Sequence, residues 1–348
     1  MKLGMLGMHH SHAPGIVRQV AAHPDEFELV AFHDPEESVV SERAREWGPL
    51  LPSFRTYASA DEFLSVDLDG VVVEGRVWDN LKWARLALES GRPVLLEKPA
   101  GTDMEEFASL VALAKQKRLH LQMLYLFRYM SAVVEMRSQA RSGALGDIYE
   151  FRGRLPKELE NYSDNTASFD WHPGGIFFEM AGHLIDMMVT LLGTPHGVTP
   201  FMNHHHSTPG DFIDNGVAVV EFDRGLGVVE VPALEVAPKA RRIEVYGTRG
   251  ACVIPNLGSG HLANDATQPV DVYHEGESEW KRLPLPAATL QVADLREFVA
   301  CVRGERDPEF TKDHDLCVQE TLLRACGTLG GEGAKGNTDT DADTRSER

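Results

Sequence analysis

The sequence predicts an α/β protein in two parts, a doubly wound parallel sheet followed by an α/β domain with an open, mostly antiparallel sheet. Three observations support this fold class. Short apolar runs alternate with helix-period segments through residues 1–124. Beyond residue 128, strand patterns with polar residues on one face take over. Near the end of the first part, an apolar run leads directly into the charged tripeptide Glu97–Lys98–Pro99, and open α/β sheets place their ligands at such strand ends.

Length and composition limit the classes of function. With 348 residues the chain is long enough for two domains, and 43% hydrophobic and 25% charged residues are typical of a globular protein. A formal net charge of −19 argues against nucleic acid or an anionic membrane as a partner. No apolar run approaches the roughly 20 residues that span a bilayer, and we expect no signal peptide. The four irregularly spaced cysteines suggest neither a disulfide framework nor a zinc site, so we expect a cytoplasmic protein.

The first predicted domain, residues 1–124, alternates strands and helices. Strands are expected over Leu3–Gly7, Glu28–Phe32, Gly70–Val73, Val94–Leu96 and Leu119–Leu124. Helices are expected over Pro14–Ala22, Ser38–Trp47, Asn80–Ser90 and Met104–Lys117. The last helix follows a capping-box pattern, with Thr102 as the N-cap and Glu105 three residues later. This alternation predicts a parallel sheet.

In the second predicted domain, residues 125–326, strands and helices no longer alternate regularly. Helices are expected over Ala132–Arg141, Ile176–Leu192, Leu290–Arg303 and Asp313–Ala325, and the last two could pack back on the first domain. Strands are expected over Ile148–Gly153, Val217–Phe222, Gly227–Val231 and Ile243–Gly247. Residues 327–348 contain almost no apolar side chains, so a disordered tail is expected there.

The tripeptide Glu97–Lys98–Pro99 presents a carboxylate and an amine at the end of a buried strand. A partly desolvated lysine loses its proton more easily than one on the surface, which suits Lys98 to acid–base chemistry. A strand-end salt bridge before a turn is the alternative interpretation.

The predicted helix Ile176–Leu192 has ionisable residues along one face. Glu179, His183 and Asp186 are spaced i, i+4 and i+7, so they lie on the same side of the helix. A carboxylate in such a row can orient the imidazole and raise its basicity. The preceding Gly174–Gly175 lets the backbone approach a ligand closely. A solvated helix face with a Glu–His pair is the alternative.

Together these motifs resemble those of the Gfo/Idh/MocA oxidoreductases, a family that includes glucose-fructose oxidoreductase and inositol dehydrogenases. The resemblance lies in Glu97–Lys98–Pro99 and in a glycine pair followed by Glu179-x-x-Gly-His183-x-x-Asp186. It implies a Rossmann domain, with Lys98 and His183 as an acid–base pair at a substrate hydroxyl and hydride transfer to nicotinamide. Glu179 stands where many members have aspartate, and it is the third catalytic candidate.

The loop after the first strand departs from a dinucleotide-binding fingerprint. Of the glycines in Gly-x-Gly-x-x-Gly, the chain keeps Gly7 and has His9 and His12 in place of the others. The imidazoles of His9 and His10 could donate to cofactor phosphates beside a helix N-terminus. Asp34, at the end of the second strand, stands near the spacing expected of an acid that binds the adenosine ribose. Its charge would repel a 2′-phosphate, so NAD is favoured over NADP.

Gly75 and Asn80, in the loop after the third strand, complete the expected cofactor contacts together with Glu97 and the lysine beside it. Glu74 in the same loop would be electrostatically unfavourable near a diphosphate unless Arg76 pairs with it.

The segment His10–Ser11–His12 also matches the metal ligands of amidohydrolase barrels. That fold requires eight strand–helix units with further ligands at later strand ends, and the antiparallel second half does not provide them. We therefore expect no metal ligands.

Substrate contacts are expected where the two domains meet. Arg128 could hold a substrate oxygen, although a salt bridge at the domain interface is equally compatible with the sequence. Trp171 could stack on a sugar or on nicotinamide, with ordinary aromatic packing as the alternative, and His172 lies beside it. Asp186 could orient the substrate from its helix.

The sequence thus predicts an NAD-dependent enzyme that transfers a hydride between nicotinamide and a secondary alcohol of a sugar, cyclitol or related polyol. Two alternatives remain open, namely a redox-neutral lyase or glycosidase that keeps and cycles its NAD, and a non-catalytic cofactor or ligand sensor. A sensor has little need of the pair Lys98 and His183. Because an open sheet face commonly pairs with another subunit, a homodimer or homotetramer is expected.

Overall fold

The first part of the chain forms a parallel sheet of five strands. Residues 1–51, 53–158, 172–205, 212–235, 241–257, 267–288 and 290–329 are described in the computed structural model. The strands are β1 (Lys2–Leu6), β2 (Glu28–His33), β3 (Gly70–Val73), β4 (Val94–Glu97) and β5 (Leu121–Leu124). They pair in the order β2-β1-β3-β4-β5, and every pair is parallel. This confirms the predicted doubly wound sheet.

Helices flank this sheet, so its inner strands are buried. The helices are α1 (Ala13–Ala22), α2 (Glu37–Trp47), α3 (Ala60–Leu64), α4 (Val77–Glu89) and α5 (Met104–Lys117). Every residue of β3, β4 and β5 is buried, as expected of strands covered on both faces. The N-cap of α5 is Asp103 and not Thr102, since the Asp103 carboxylate accepts the amide N–H of Glu106 at 2.9 Å.

The second part contains a sheet of eight strands. They are β6 (Ile148–Arg154), β7 (Gly197–Asn203), β8 (Asn215–Phe222), β9 (Gly225–Pro232), β10 (Arg242–Gly247), β11 (Gly250–Ile254), β12 (Thr267–His274) and β13 (Lys281–Pro286). Their order is β13-β12-β11-β10-β6-β9-β8-β7. Among these described strands only β6 and β9 pair in parallel, which confirms the mostly antiparallel prediction.

Strands β7, β11, β12 and β13 were not expected from the sequence. Two of them, β7 and β13, share a feature that hides a strand from sequence. Both contain proline, at Pro200 and at Pro284 and Pro286, and both lie at the edges of the sheet. An edge strand tolerates proline because one side of its backbone forms no hydrogen bonds with another strand, so a missing N–H on that side costs no pairing.

Helices pack against this sheet and against the segment that joins the two parts of the chain. A 3₁₀ turn (Leu126–Tyr129) follows β5, and the helices are α6 (Ser131–Arg141), α7 (Gly175–Leu192), α8 (Leu290–Val302) and α9 (Lys312–Ala325). By length and composition α7 could cross a membrane, but 83% of it is buried inside the protein, as in the core helix of a globular domain.

Helices α8 and α9 return to the first sheet, as the sequence suggested. Arg296 on α8 pairs with Glu26 at 2.7 Å. Gln319 on α9 accepts the amide N–H of Ala100 at 3.2 Å and donates to the Gly101 carbonyl at 2.7 Å. These contacts hold the segment after β4 close to α7, which also packs on α9. The domain boundaries at 124 and 326 remain predictions, and most of the expected tail lies outside the described residues.

Candidate active site

Lys98 lies at the end of β4, against the first turns of α7. Its side chain is 1% exposed. Its ammonium donates to the backbone carbonyl of Glu179 at 3.0 Å and also pairs with the Glu179 carboxylate. Because Lys98 comes from the first sheet and Glu179 from a helix on the second, this ion pair joins the two halves at the candidate site.

His183 lies one helical turn beyond Glu179 and is also buried. Its ring stacks on Phe127 with centroids 4.4 Å apart, and Tyr125 meets it edge-on at 5.8 Å. Burial, followed by the charge of Lys98, lowers the pKa of His183 well below its usual range. The imidazole is therefore neutral at pH 7, as a general base must be.

The expected support of His183 by Glu179 is not what the structure shows. Glu179 is paired with Lys98, and the Nδ1 atom of His183 has no hydrogen-bond partner in the described part of the chain. A full ammonium charge attracts a buried carboxylate more strongly than a neutral imidazole does, which explains the choice of partner.

The loop between β1 and α1 turns two histidines towards the end of β4. His12 Nδ1 lies 3.1 Å from both carboxylate oxygens of Glu97. His10 Nδ1 lies 3.8 Å from Glu97 Oε2 and 3.4 Å from Glu74 Oε2. Burial, only partly opposed by Glu97, lowers the pKa of His10 to about 3. His10 is therefore a neutral imidazole that can accept or coordinate.

Glu74 and Glu97 are both fully buried and lie side by side. Burial would raise the pKa of Glu97, but His12, His10 and Lys98 together lower it to about 2. Burial and the Glu97 charge raise the pKa of Glu74 well above its usual range. The pair thus holds one proton, with Glu74 the acid and Glu97 the carboxylate. Arg76 does not neutralise Glu74, since its guanidinium Nε bonds Glu36 at 2.7 Å.

A cavity of 90 Å³ lies between these groups. Its wall includes Lys98, Glu179 and His183 on one side and the histidine loop on the other. The remaining lining residues are Ser11, Gly75, Arg76, Val77, Trp78, Lys157 and Met180. The structure thus brings the three predicted catalytic residues together with His9, His10 and Gly75.

Two family models cover most of the chain. The one described as "Oxidoreductase family, NAD-binding Rossmann fold" matches residues 1–125, and the one described as "GFO/IDH/MocA C-terminal domain" matches residues 133–253. The chain belongs to the Gfo/Idh/MocA family of oxidoreductases. The resemblance carried by the sequence motifs is confirmed.

Relatives within the Gfo/Idh/MocA family include enzymes of known and unknown substrate. The NAD(+)-dependent scyllo-inositol 2-dehydrogenase of Bacillus subtilis is 25% identical over 322 residues, 89% of this chain and 86% of the relative. An uncharacterized oxidoreductase of Schizosaccharomyces pombe is 28% identical over 188 residues, 53% of this chain, and the chain spans about half its length. The solved UDP-N-acetylglucosamine 3-dehydrogenase of Acidithiobacillus ferrooxidans superimposes with a TM-score of 0.77, at 18% identity, over 94% of this chain and 97% of that one.

The residues expected to hold a nicotinamide cofactor fit its adenosine end. Gly7 has a φ of +75°, and a Cβ there would collide with the backbone of Gly75, so both loops pass close together. The two oxygens of Asp34 accept the amide N–H groups of Met8 at 2.8 Å and Glu36 at 2.9 Å. Each oxygen keeps a second acceptor position, which a ribose hydroxyl can use.

The remaining cofactor candidates differ from expectation. Asn80 is fully buried, and its amide lies beneath Gly75 without bordering the cavity. Its amide nitrogen and oxygen form no hydrogen bond with the described residues. Glu97 faces His10 and His12, as described above. His9 lies on the cavity wall, where Arg76 and Asp34 act on its charge.

Arg128 and Asp186 do not border the cavity, in contrast to the expectation that they bind substrate. Both are fully buried. Arg128 forms a forked pair with Asp186, the closest contact being 2.6 Å, and it also bonds Asp315 at 2.6 Å. His314 lies 2.8 Å from Asp186. The interface salt bridge, named as the alternative, is the observed arrangement, because a buried guanidinium requires buried carboxylates.

His172 is also turned away from the cavity. Its ring stacks on Phe178 with centroids 3.6 Å apart, and its Nδ1 accepts the amide N–H of Gly174 at 2.9 Å. It shapes the turn before α7 and is not among the residues that line the cavity. Trp171 lies outside the described residues.

Three residues of the site were missed as candidates. The sequence presents His12 as a substituted glycine and as part of a rejected barrel-type metal pair, and it presents Glu74 only as an unfavourable charge. Lys157 lies on the cavity wall, where burial and the charges of Arg241 and Lys98 lower its pKa to about 7. The substituted fingerprint was a usable signal for His12 and Glu74, whereas nothing in the sequence around Lys157 marks it.

Proposed function

We propose that this protein is an NAD-dependent dehydrogenase of a secondary alcohol on a sugar, cyclitol or related polyol. The single observation that carries this proposal is the convergence of Lys98 and His183 on one cavity at the carboxyl end of a Rossmann sheet. The relative named scyllo-inositol 2-dehydrogenase (NAD(+)) supports the substrate class and the cofactor.

The two residues have complementary roles at a substrate hydroxyl. His183 is neutral and buried, so it can accept the hydroxyl proton. Lys98 is held by Glu179 and can donate a hydrogen bond to the oxygen as negative charge develops on it. Tyr125 and Phe127 fix the plane of the imidazole, which positions its accepting nitrogen.

A nicotinamide cofactor, when bound, supplies the hydride acceptor. Asp34 would hold the adenosine ribose, and the loops at Gly7 and Gly75 would border the diphosphate. The imidazole of His9, on the cavity wall, would provide a donor where other dinucleotide-binding loops have glycine. The negative charge of Asp34 favours NAD over NADP.

Titration of the purified protein with NADH and with NADPH, followed by nicotinamide fluorescence, tests the cofactor. We expect tighter binding of NADH, then reduction of NAD in the presence of a polyol from a panel of inositols and sugars. Binding of neither nucleotide would contradict the proposal. NAD that copurifies and does not exchange, without net reduction, would instead favour the redox-neutral alternative.

We further propose a homodimer or homotetramer in the cytoplasm. Phe201 on the edge strand β7 is 54% exposed, and it pairs across the ladder with Val217, so the sheet presents apolar surface. All four cysteines are free thiols, which is compatible with a reducing compartment. Sedimentation velocity tests the assembly, and a monomer at all concentrations would contradict it.

A further inference from the structure

Two imidazoles and a carboxylate converge at the end of β4. Donor atoms of His10, His12 and Glu97 all lie within 4.8 Å of one another. The distances from Glu97 are 3.1 Å to His12 Nδ1 and 3.8 Å to His10 Nδ1. Tetrahedral ligands with bonds of 2.0–2.1 Å are about 3.3 Å apart, so only small side-chain shifts are needed to surround a cation. The single lone pair of His10 Nδ1 accepts the amide N–H of His12 at 3.3 Å, so a cation bound at Nδ1 would replace this long hydrogen bond.

Glu74 provides a second, independent observation. Its carboxyl group is fully buried, and neither oxygen accepts a hydrogen bond from the described residues. Glu74 Oε2 nevertheless lies 3.4 Å from His10 Nδ1. Even as the neutral acid, a buried carboxyl group whose oxygens accept no hydrogen bond is unfavourable, and a cation beside it would stabilise its ionised form. Arg76, the closest arginine in sequence, is bonded to Glu36.

We propose that His10, His12 and Glu97 bind one divalent transition-metal ion, with Glu74 oriented beside it. Two imidazoles and one carboxylate are a donor set that suits Zn²⁺ and related ions, whereas Mg²⁺ and Ca²⁺ prefer oxygen donors. The expectation that no metal would bind was based on the missing barrel, and this site requires no barrel. It also stands independently of the proposed dehydrogenase activity.

Three protein ligands leave one position of a tetrahedral ion open. His10 and His12 border the 90 Å³ cavity that also contacts Lys98 and His183. A water or a substrate oxygen can therefore complete the coordination, within the same cavity as the catalytic pair.

Titration with Zn²⁺ alone tests the site. The full-length protein is stripped with a chelator and titrated calorimetrically at pH 7.5. We expect one equivalent to bind. His10→Gln, His12→Gln and Glu97→Gln should each weaken Zn²⁺ binding by more than the 10- to 100-fold typical of outer-shell changes, and Glu74→Gln should fall within that range.

His9→Gln is the matched control. His9 belongs to the same loop but lies nearer Arg76 and Glu36, so Zn²⁺ affinity should be unchanged. Mg²⁺ should not bind at the same concentration. Less than one equivalent of Zn²⁺, or equal affinity in His12→Gln, would overturn the proposal.

Two further measurements separate loss of the metal site from misfolding and from loss of cofactor binding. If a variant fails to fold by circular dichroism, the visible absorption of the Co²⁺-loaded wild type decides, because a tetrahedral site absorbs intensely and an octahedral surface site weakly. A weak spectrum would then reject the site. NADH affinity is measured in parallel on every variant, so a loss of cofactor binding is distinguished from a loss of metal binding.

Discussion

The ammonium of Lys98 donates to the backbone carbonyl of Glu179 at 3.0 Å as well as pairing with its carboxylate. A side chain from the first sheet is thereby fixed to the first turns of the helix that also carries His183. The carbonyl contact depends on the position of the helix and not on the side chain of Glu179. The placement of the candidate catalytic lysine is therefore a property of the packing between the two halves.

Replacing Lys98 with methionine should abolish most of the turnover. Methionine keeps the length of the stem and removes the ammonium. It leaves the buried Glu179 carboxylate without its cation, so circular dichroism first checks that the variant folds. Positioned acid–base groups contribute about 10²–10⁴-fold, and we expect kcat to fall by at least the lower figure with NADH affinity largely retained. Steady-state rates and fluorescence titration measure both. Normal turnover in Lys98→Met would show that the tripeptide is only a strand-end ion pair.

His183→Asn should remove the general base. Turnover should fall by at least about 100-fold. Because burial and Lys98 lower the pKa of His183, the wild-type rate should remain high as pH falls from 7 to 6.5 and decrease only at lower pH. The acidic limb of the pH–rate profile should be absent in His183→Asn. An unchanged limb in the variant would assign it to a different group.

Arg128→Met should destabilise the protein and leave substrate affinity almost unchanged. The substitution leaves the carboxylates of Asp186 and Asp315 buried without their guanidinium, and breaking such a pair costs about 3–5 kcal/mol. Urea unfolding measures the loss. Arg296→Met is the control, since its pair with Glu26 lies at the surface and should change stability little. A large change in KM with stability unchanged would restore Arg128 as a substrate ligand.

His172 should make folding sensitive to acid. Burial lowers its pKa to about 4 from the ordinary value of 6.5, so between these values the unfolded chain binds a proton that the folded protein does not. The free energy of unfolding should therefore decrease as pH falls through this window, by up to about 1.4 kcal/mol per pH unit from this group. His172→Asn, which keeps an acceptor for the Gly174 amide, should reduce the slope by up to one proton. Equal slopes in urea titrations at pH 4.5–6.5 would contradict this.

Asp34→Asn should shift the cofactor preference towards NADP. The variant keeps an acceptor for the backbone amides of Met8 and Glu36 but loses the charge that faces a 2′-phosphate. At an effective dielectric of about 20 that repulsion amounts to a few kcal/mol, so the NADPH-to-NADH affinity ratio should rise at least about tenfold. Fluorescence titration of both nucleotides measures it. A ratio that does not move would place the ribose away from Asp34.

The local pattern predicted much of the fold, since apolar periodicity reports directly which side of an element is buried. The strands of the first sheet, its helices except α3, the long buried helix and the positions of Lys98 and His183 followed from such patterns. Strands β7, β11, β12 and β13 did not. In the edge strands β7 and β13 the prolines are typical of loops, and only the neighbouring strand makes these segments part of a sheet.

The partners of each charged side chain were decided by the tertiary structure alone. Spacing along α7 placed Glu179, His183 and Asp186 on one face, but Glu179 pairs with Lys98 and Asp186 with Arg128, from segments 81 and 58 residues away. Likewise His12 meets Glu97, 85 residues distant. Sequence determined which groups stand at the ends of the strands. Which of these groups form ion pairs or share a proton depends on their desolvation and on the distances between them. Both are set only when the two sheets have packed together.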